Sequence, residues 1–182
     1  MRSTLLTAMT FSATLVSLAS GQMQMGNGDP ANSPDPAAYG PQVKQGYERV
    51  RAATAAFRKL SAAVAAGYDS TASECYAAPN VGAMGYHHLN RAYVDKTLEI
   101  EKPEILLYER LADGSYQLNG VEYIVPYRLW PADSVAPRIM GRELQRADDL
   151  KVWYLHMWVW KRNSAGLFAS WNPDASCRTP PA

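Results

Sequence analysis

Three hydrophobic patterns organise the chain. From Val152 to Trp160 the residues run Val-Trp-Tyr-Leu-His-Met-Trp-Val-Trp, with neither glycine nor proline. Such a run of aromatic and β-branched side chains reads as a strand buried on both faces, at the centre of a sheet. Alternation sends Trp153, Leu155, Met157 and Val159 to one face, and Val152, Tyr154, His156, Trp158 and Trp160 to the other. The first set is plain core; the second sets polar tips into aromatic bulk.

The second pattern is a hairpin from Glu104 to Pro126. An apolar run enters Asp113-Gly114, a type I′ turn signal, and returns through Tyr-Gln-Leu-Asn-Gly-Val-Glu-Tyr-Ile-Val. A two-residue turn pairs Ala112 with Ser115, Leu111 with Tyr116, Leu107 with Gly120 and Ile105 with Glu122. Glu122 then shares a face with Ile105, Leu107, Leu118 and Ile124, so a carboxylate sits on the apolar side. A one-residue slip would reverse that.

The third pattern is helical. Val43, Tyr47, Val50, Thr54, Phe57, Ser61 and Val64 recur at spacings of four and three, which predicts one helix over 42–66 with a single packing stripe. Pro41 is placed to start it and Gly67 to end it. Between Trp130 and Leu150, Pro131, Pro137 and Gly141 predict a long connection with a short helix over 141–149, able to lie over the sheet as a lid or as filler. After the organising strand, 163–166 reads as a turn, 167–169 as a short returning strand and 171–174 as a capping turn.

Before the helix the pattern changes. Met1-Arg2-Ser3-Thr4, an apolar run from Leu5 to Leu18 and small residues at Ser17 and Ala19 predict a secretory signal peptide over 1–19, too short and hydroxyl-rich to span a membrane. Residues 20–41 are rich in Gly, Pro, Asn and Gln and predict a flexible leader. Residues 42–178 then form one domain of about 140 residues, and 179–182 a frayed tail. The expected product is secreted, with no membrane attachment after cleavage.

Charge excludes one class of partner. The chain carries a formal net charge of +1, its acids and bases are interspersed, and no electrostatic footprint for nucleic acid is present. Arg138, Arg142 and Arg146 stand at helical spacing, but Glu143, Asp148 and Asp149 interrupt them, which favours a solvated face. The two cysteines, Cys75 and Cys177, predict a disulfide in an exported protein; a loop of roughly 100 residues contributes up to about 4–5 kcal/mol in the chain-entropy model.

Candidate chemistry gathers on the strands. The chain has three histidines. His87 and His88 are adjacent in a short predicted strand after the turn-rich 79–85, so only one of them can face a given site. A buried carboxylate at Glu122 needs a partner or a proton. With His156 on an aromatic face and His87 or His88 on a third strand, the donor types of a two-histidine, one-carboxylate centre for a divalent transition metal are present, without HExxH or His-x-His spacing.

Three readings share these residues: a metal site formed by His87 or His88 with Glu122 and His156; a small-molecule pocket with His156, Glu122 and His88 as acid-base or catalytic groups; and a buried network that only stabilises the fold. Tyr86, Tyr123, Tyr154 and Trp158 would line the pocket. A non-catalytic secreted module, or an interaction protein displaying its tryptophans, is the alternative class.

The segments Met84-Gly-Tyr-His-His-Leu-Asn, Pro103-Glu-Ile-Leu-Leu-Tyr-Glu, Gly120-Val-Glu-Tyr-Ile-Val-Pro and Leu155-His-Met-Trp-Val-Trp are followed by Asn163, Gly166, Phe168, Trp171-Asn-Pro and Cys177. This set resembles a group of uncharacterised exported microbial proteins; the resemblance implies secretion and one intact domain, and no activity. No G-x-S-x-G elbow, P-loop or dinucleotide fingerprint occurs. The expected fold is α+β: a long N-terminal helix packed on a curved, mainly antiparallel sheet able to close into a cone or barrel.

Overall fold

A computed structural model describes residues 32–69 and 74–177. The predicted signal peptide, most of the leader and the tail lie outside these residues. The fold is α+β, with one main helix and a curled, half-barrel antiparallel sheet. Helix α1 (Pro41–Thr54) and the short α2 (Leu60–Ala65) precede eight strands. These are β1 (Tyr76–Ala78), β2 (Gly82–Leu89), β3 (Ile105–Arg110), β4 (Tyr116–Pro126), β5 (Arg138–Ile139), β6 (Arg142–Glu143), β7 (Gln145–Ala147) and β8 (Val152–Met157). Six form one sheet in the order β1-β2-β3-β4-β8-β7, and β5-β6 make a separate pair.

The single long helix predicted over 42–66 is broken. Pro41 starts α1 at its first turn as expected. At its end the Thr54 hydroxyl donates to the Val50 carbonyl and accepts the Trp160 indole N–H. Such back-bonding bends helices. A 3₁₀ turn, Ala55–Arg58, and an extended Lys59 follow before α2 begins. The break resets the stripe: Val43, Val50 and Thr54 are buried, but beyond it Ala63 is buried while Val64 is exposed. Gly67 ends α2 as predicted, at φ +94°, with Gly67 N–H bonded to Val64 O and Tyr68 N–H to Ala63 O.

The leader's end also departs from expectation. A 3₁₀ turn over Pro36–Tyr39 is capped by Asp35, Ser33 O accepts from Leu167 N–H, and Tyr39 packs edge-on against Phe168. Residues 33–40 are thus docked on the domain. The helix predicted over 141–149 is absent; strands replace it, and β7 pairs with β8. The three arginines consequently form no stripe: Arg138 pairs with Glu143, Arg146 with Asp148, and Arg142 lies over Tyr39 and Phe168. The returning strand predicted at 167–169 is likewise irregular chain, although Leu167 O accepts from Trp158 N–H.

The hairpin register explains how Glu122 reaches its face. The turn is a three-residue loop, with Gly114 N–H bonded to Leu111 O, Leu111 N–H to Ser115 O and Gly114 at φ +82°, a type I turn closed by a left-handed glycine. Near the tip, Arg110 therefore faces Tyr116 and Tyr108 faces Leu118, one position off the predicted register. A bulge then restores it, so that Leu107 faces Gly120 and Ile105 faces Glu122. The extra residue is Asn119, whose carbonyl accepts both Trp160 and Lys161 N–H. Below the bulge Glu122 is where expected; above it Leu118 turns to the opposite face and joins the main core.

One face of the sheet meets the helices. Leu106, Tyr108, Val121, Tyr123, Val125, Trp153, Leu155 and Met157 pack there with Val43, Val50 and Ala63. The other face carries a smaller cluster of Ile105, Leu107 and Trp158. Strand β8 lies next to the edge rather than at the sheet centre, which β3 and β4 occupy. It also stops at Met157, so Trp160 leaves the predicted His156 face and packs against the core under Arg51 and Arg58.

The disulfide joins Cys75 to Cys177. It ties the entry of edge strand β1 to the segment after Trp171.

Candidate metal centre

Glu122 on β4 lies directly opposite His156 on β8 and Ile105 on β3. His87 on β2 lies opposite Leu107, so β3 runs between it and the carboxylate. Strands lie about 4.8 Å apart, which puts β2 and β4 roughly 10 Å from each other. The side chains nevertheless meet across β3 in this curled sheet. His87 Nε2 is 3.5 Å from Glu122 Oε2, and His156 Nε2 is 3.4 Å from Glu122 Oε1. One donor atom from each of the three residues lies within 4.8 Å of the other two.

A bulge in β2 selects the histidine. Gly85 adopts φ +91°, and a Cβ there would stand 2.3 Å from Tyr108 O, so only glycine fits. Past it, His87 faces the cluster. His88 turns to the other side, where its Nδ1 meets Asp69 O at 2.7 Å and its ring packs on Tyr108 and Tyr116. His88 is therefore a buried part of the core, away from Glu122 and His156, and neither exposed nor in support of the cluster.

The electrostatics prepare the groups for a cation. Burial alone would push Glu122 up, but the close approach and field of His156, with the field of His87, outweigh it and hold the carboxyl below its ordinary range. Burial lowers His87, against the opposing pull of Glu122. An ionised carboxylate and a neutral imidazole are the forms that ligate metal. His87 also carries a hydrogen bond to the Gly85 backbone, the kind of outer contact that orients ligating histidines.

His156 is the anomaly. It is 1% exposed, and among the described residues neither ring nitrogen has a hydrogen-bond partner; its approach to Glu122 lacks hydrogen-bond alignment. Each buried nitrogen left unpaired costs about 1–3 kcal/mol. Zinc-type bonds of about 2.0–2.2 Å to nitrogen and oxygen in tetrahedral array separate donors by about 3.3–3.6 Å. The two histidine–carboxylate separations, each to a different oxygen of Glu122, are of that size, and the set of one donor per residue spans up to 4.8 Å, so small side-chain shifts would close it on an ion.

The cluster lines a cleft of about 490 Å³. Met84, Ile105, Ile124, Val152 and Tyr154 line it, Tyr76 packs edge-on against His87 with ring centroids 5.4 Å apart, and Leu150, Trp171, Arg146, Ala147 and Asp149 complete it. Of the predicted lining residues, Tyr154 is in place and Trp158 packs beside His156, ring centroids 6.2 Å apart. Tyr123 and Tyr86 are not. Tyr123 points into the helix-side core and donates to Ile100 O, and Tyr86 faces Tyr116, on the side of His88. Four tryptophans are engaged in packing rather than display: Trp130, Trp153, Trp158 and Trp160 each donate the indole N–H to a protein acceptor.

Sequence reasoning missed Tyr76, Met84 and Trp171. Ile105 and Ile124 were legible from the Glu122 register, whereas Met84 and His87 share a face only because of the bulge at Gly85. It also missed Glu104, 1% exposed, whose Oε2 accepts from Ile124 N–H. Burial pushes its carboxyl up to about 8 against that hydrogen bond.

The buried His87, Glu122 and His156 cluster can hold a metal ion. No family model matches the chain, and searches of curated proteins and of solved structures return no match. Among the described residues no helix is long and apolar enough to cross a membrane.

Proposed function

We propose that the protein is an exported metal-binding protein in which His87, Glu122 and His156 hold one divalent transition-metal ion at the floor of a cleft that admits a small molecule. The observation that carries this reading is His156, buried with both ring nitrogens unpaired beside an ionised carboxylate. Single buried nitrogens without a hydrogen-bond partner occur elsewhere, at His88 Nε2 and Asn119 Nδ2, but among the described residues His156 alone leaves both nitrogens of a side chain open, where most buried polar groups find a partner. Two imidazoles and a carboxylate suit zinc and its first-row neighbours, and three protein donors leave a coordination position open, as in catalytic metal sites. The predicted signal peptide and the Cys75–Cys177 disulfide support export to an oxidising compartment.

Elemental analysis and calorimetric titration of full-length protein, purified without a histidine tag, test the assignment. One metal ion per chain is expected. Glu122→Gln and His156→Ala each weaken binding by at least about 100-fold, since each removes one of three donors; even outer-sphere changes cost about 10–100-fold. His88→Asn, which keeps a donor toward the Asp69 carbonyl, retains the metal. Wild-type protein without stoichiometric metal, or equal binding by Glu122→Gln, overturns the proposal.

A further inference from the structure

The charge and the walls of this cleft define the ligand that completes the centre. On the reading that a divalent ion sits among His87, Glu122 and His156, its two charges are met by one carboxylate, leaving a net charge of about +1 at buried donors. Among the described residues no fourth Asp, Glu, His or Cys joins the cluster. Charge balance in so poorly solvated a position therefore calls for one anionic donor from outside the chain.

The cleft sets the rest of that molecule. Its lining includes Met84, Ile105, Ile124 and Val152, with the aromatic rings of Trp171 and of Tyr76, the latter packed on His87. The one cation among the lining residues, Arg146, is paired with Asp148 at 2.7 Å. A second negative charge on the ligand would find no unpaired partner there, which disfavours phosphate esters and dicarboxylates. The volume of about 490 Å³ lies in the range of small-molecule sites.

We infer that the centre takes an apolar monocarboxylate, its carboxylate on the metal and its hydrocarbon or aromatic body along the Ile105–Ile124–Val152 wall. Transfer of a ring or chain from water to that wall makes such an acid bind more tightly than acetate, which offers the same donor and almost no body.

Cobalt(II)-loaded full-length protein tests this through its visible spectrum, with benzoate, acetate, benzamide and inorganic phosphate as probes. Benzoate is expected to shift the spectrum with an affinity at least about tenfold above that of acetate, while neutral benzamide and doubly charged phosphate leave it unchanged at the same concentration. Ile124→Asn keeps the cobalt spectrum and loses the preference for benzoate. Equal affinities for benzoate and acetate, a response to benzamide, or tighter binding of phosphate overturns the inference and leaves the metal assignment standing. A wild-type protein that acquires no cobalt spectrum overturns both.

Discussion

The two faces of the main sheet differ in how far their buried polar atoms are satisfied. On the helix side most buried groups are closed by protein acceptors: Tyr68 donates to Pro103 O, Tyr108 to Phe57 O, Tyr123 to Ile100 O and Trp153 to Trp130 O, and a single ring nitrogen, His88 Nε2, has no hydrogen-bond partner among the described residues. On the cleft side, His156 keeps two unpaired nitrogens next to a carboxylate. The carboxylates follow the same division. Among the described residues Glu104 is buried without a cationic partner, and burial holds its pKa up, whereas Glu122 is held down by the two histidines. One face has been built for stability, and the other keeps an unsatisfied cluster at a cost that a bound ion would offset.

Leu155 and His156, neighbours on β8, fall on opposite faces. Leu155 is 2% exposed in the helix-side core, and Leu155→Ala should cost about 3–5 kcal/mol in urea unfolding. A loss under 1 kcal/mol would mean that this face is not the stabilising one.

The disulfide is next in size. It closes a separation of 102 residues and anchors the edge strand of the cleft side. The double change Cys75→Ser with Cys177→Ser should lower stability by about 2–5 kcal/mol, with amide exchange rising in β1 and around Trp171 before it rises in α1. Uniform loosening of both faces would blur the distinction.

Glu104 gives a pH test. In the unfolded chain it releases its proton near its ordinary 4.5, in the folded protein near 8. The folded state therefore binds more protons between those values, and its stability falls as pH rises through that window, by on the order of a few kcal/mol. Glu104→Gln, which can still accept from Ile124 N–H, should flatten this dependence and raise the urea midpoint at about pH 8. An unchanged slope would show that Glu104 does not carry it.

The smallest stability effect is expected at the Glu122 and His156 pair itself. In metal-free protein the double change Glu122→Leu with His156→Leu removes the two nitrogens together with the carboxylate they face and should change stability by less than about 1 kcal/mol or raise it, because apolar replacement of a whole buried polar pair is often neutral or favourable. The same change abolishes metal binding. A loss of several kcal/mol without metal would move the pair to the stabilising class.

The residues of the centre were half legible in the chain. The Ile105–Glu122 pairing and the placing of His156 among aromatic side chains were readable, and both hold. The pairing held because two departures cancelled, a longer turn at Gly114 and a bulge at Asn119. Leu118, above the bulge, shows the face that Glu122 would have had without it. The choice between His87 and His88 was closed to sequence reasoning, because alternation separates them but does not say which faces the carboxylate.

What the sequence determined by itself is local: the hairpin, the start of α1 at Pro41, the end of α2 at Gly67 and the apolar strand around His156. These depend on the periodicity and backbone preferences of successive residues. Long-range packing sets the break of the helix where Thr54 receives Trp160, the inward turn of His87 past Gly85, and the reach of His87 to Glu122 across β3. Each of those depends on contacts between residues far apart in the chain. The metal centre is of the same kind: three donors from three strands, brought together by curvature.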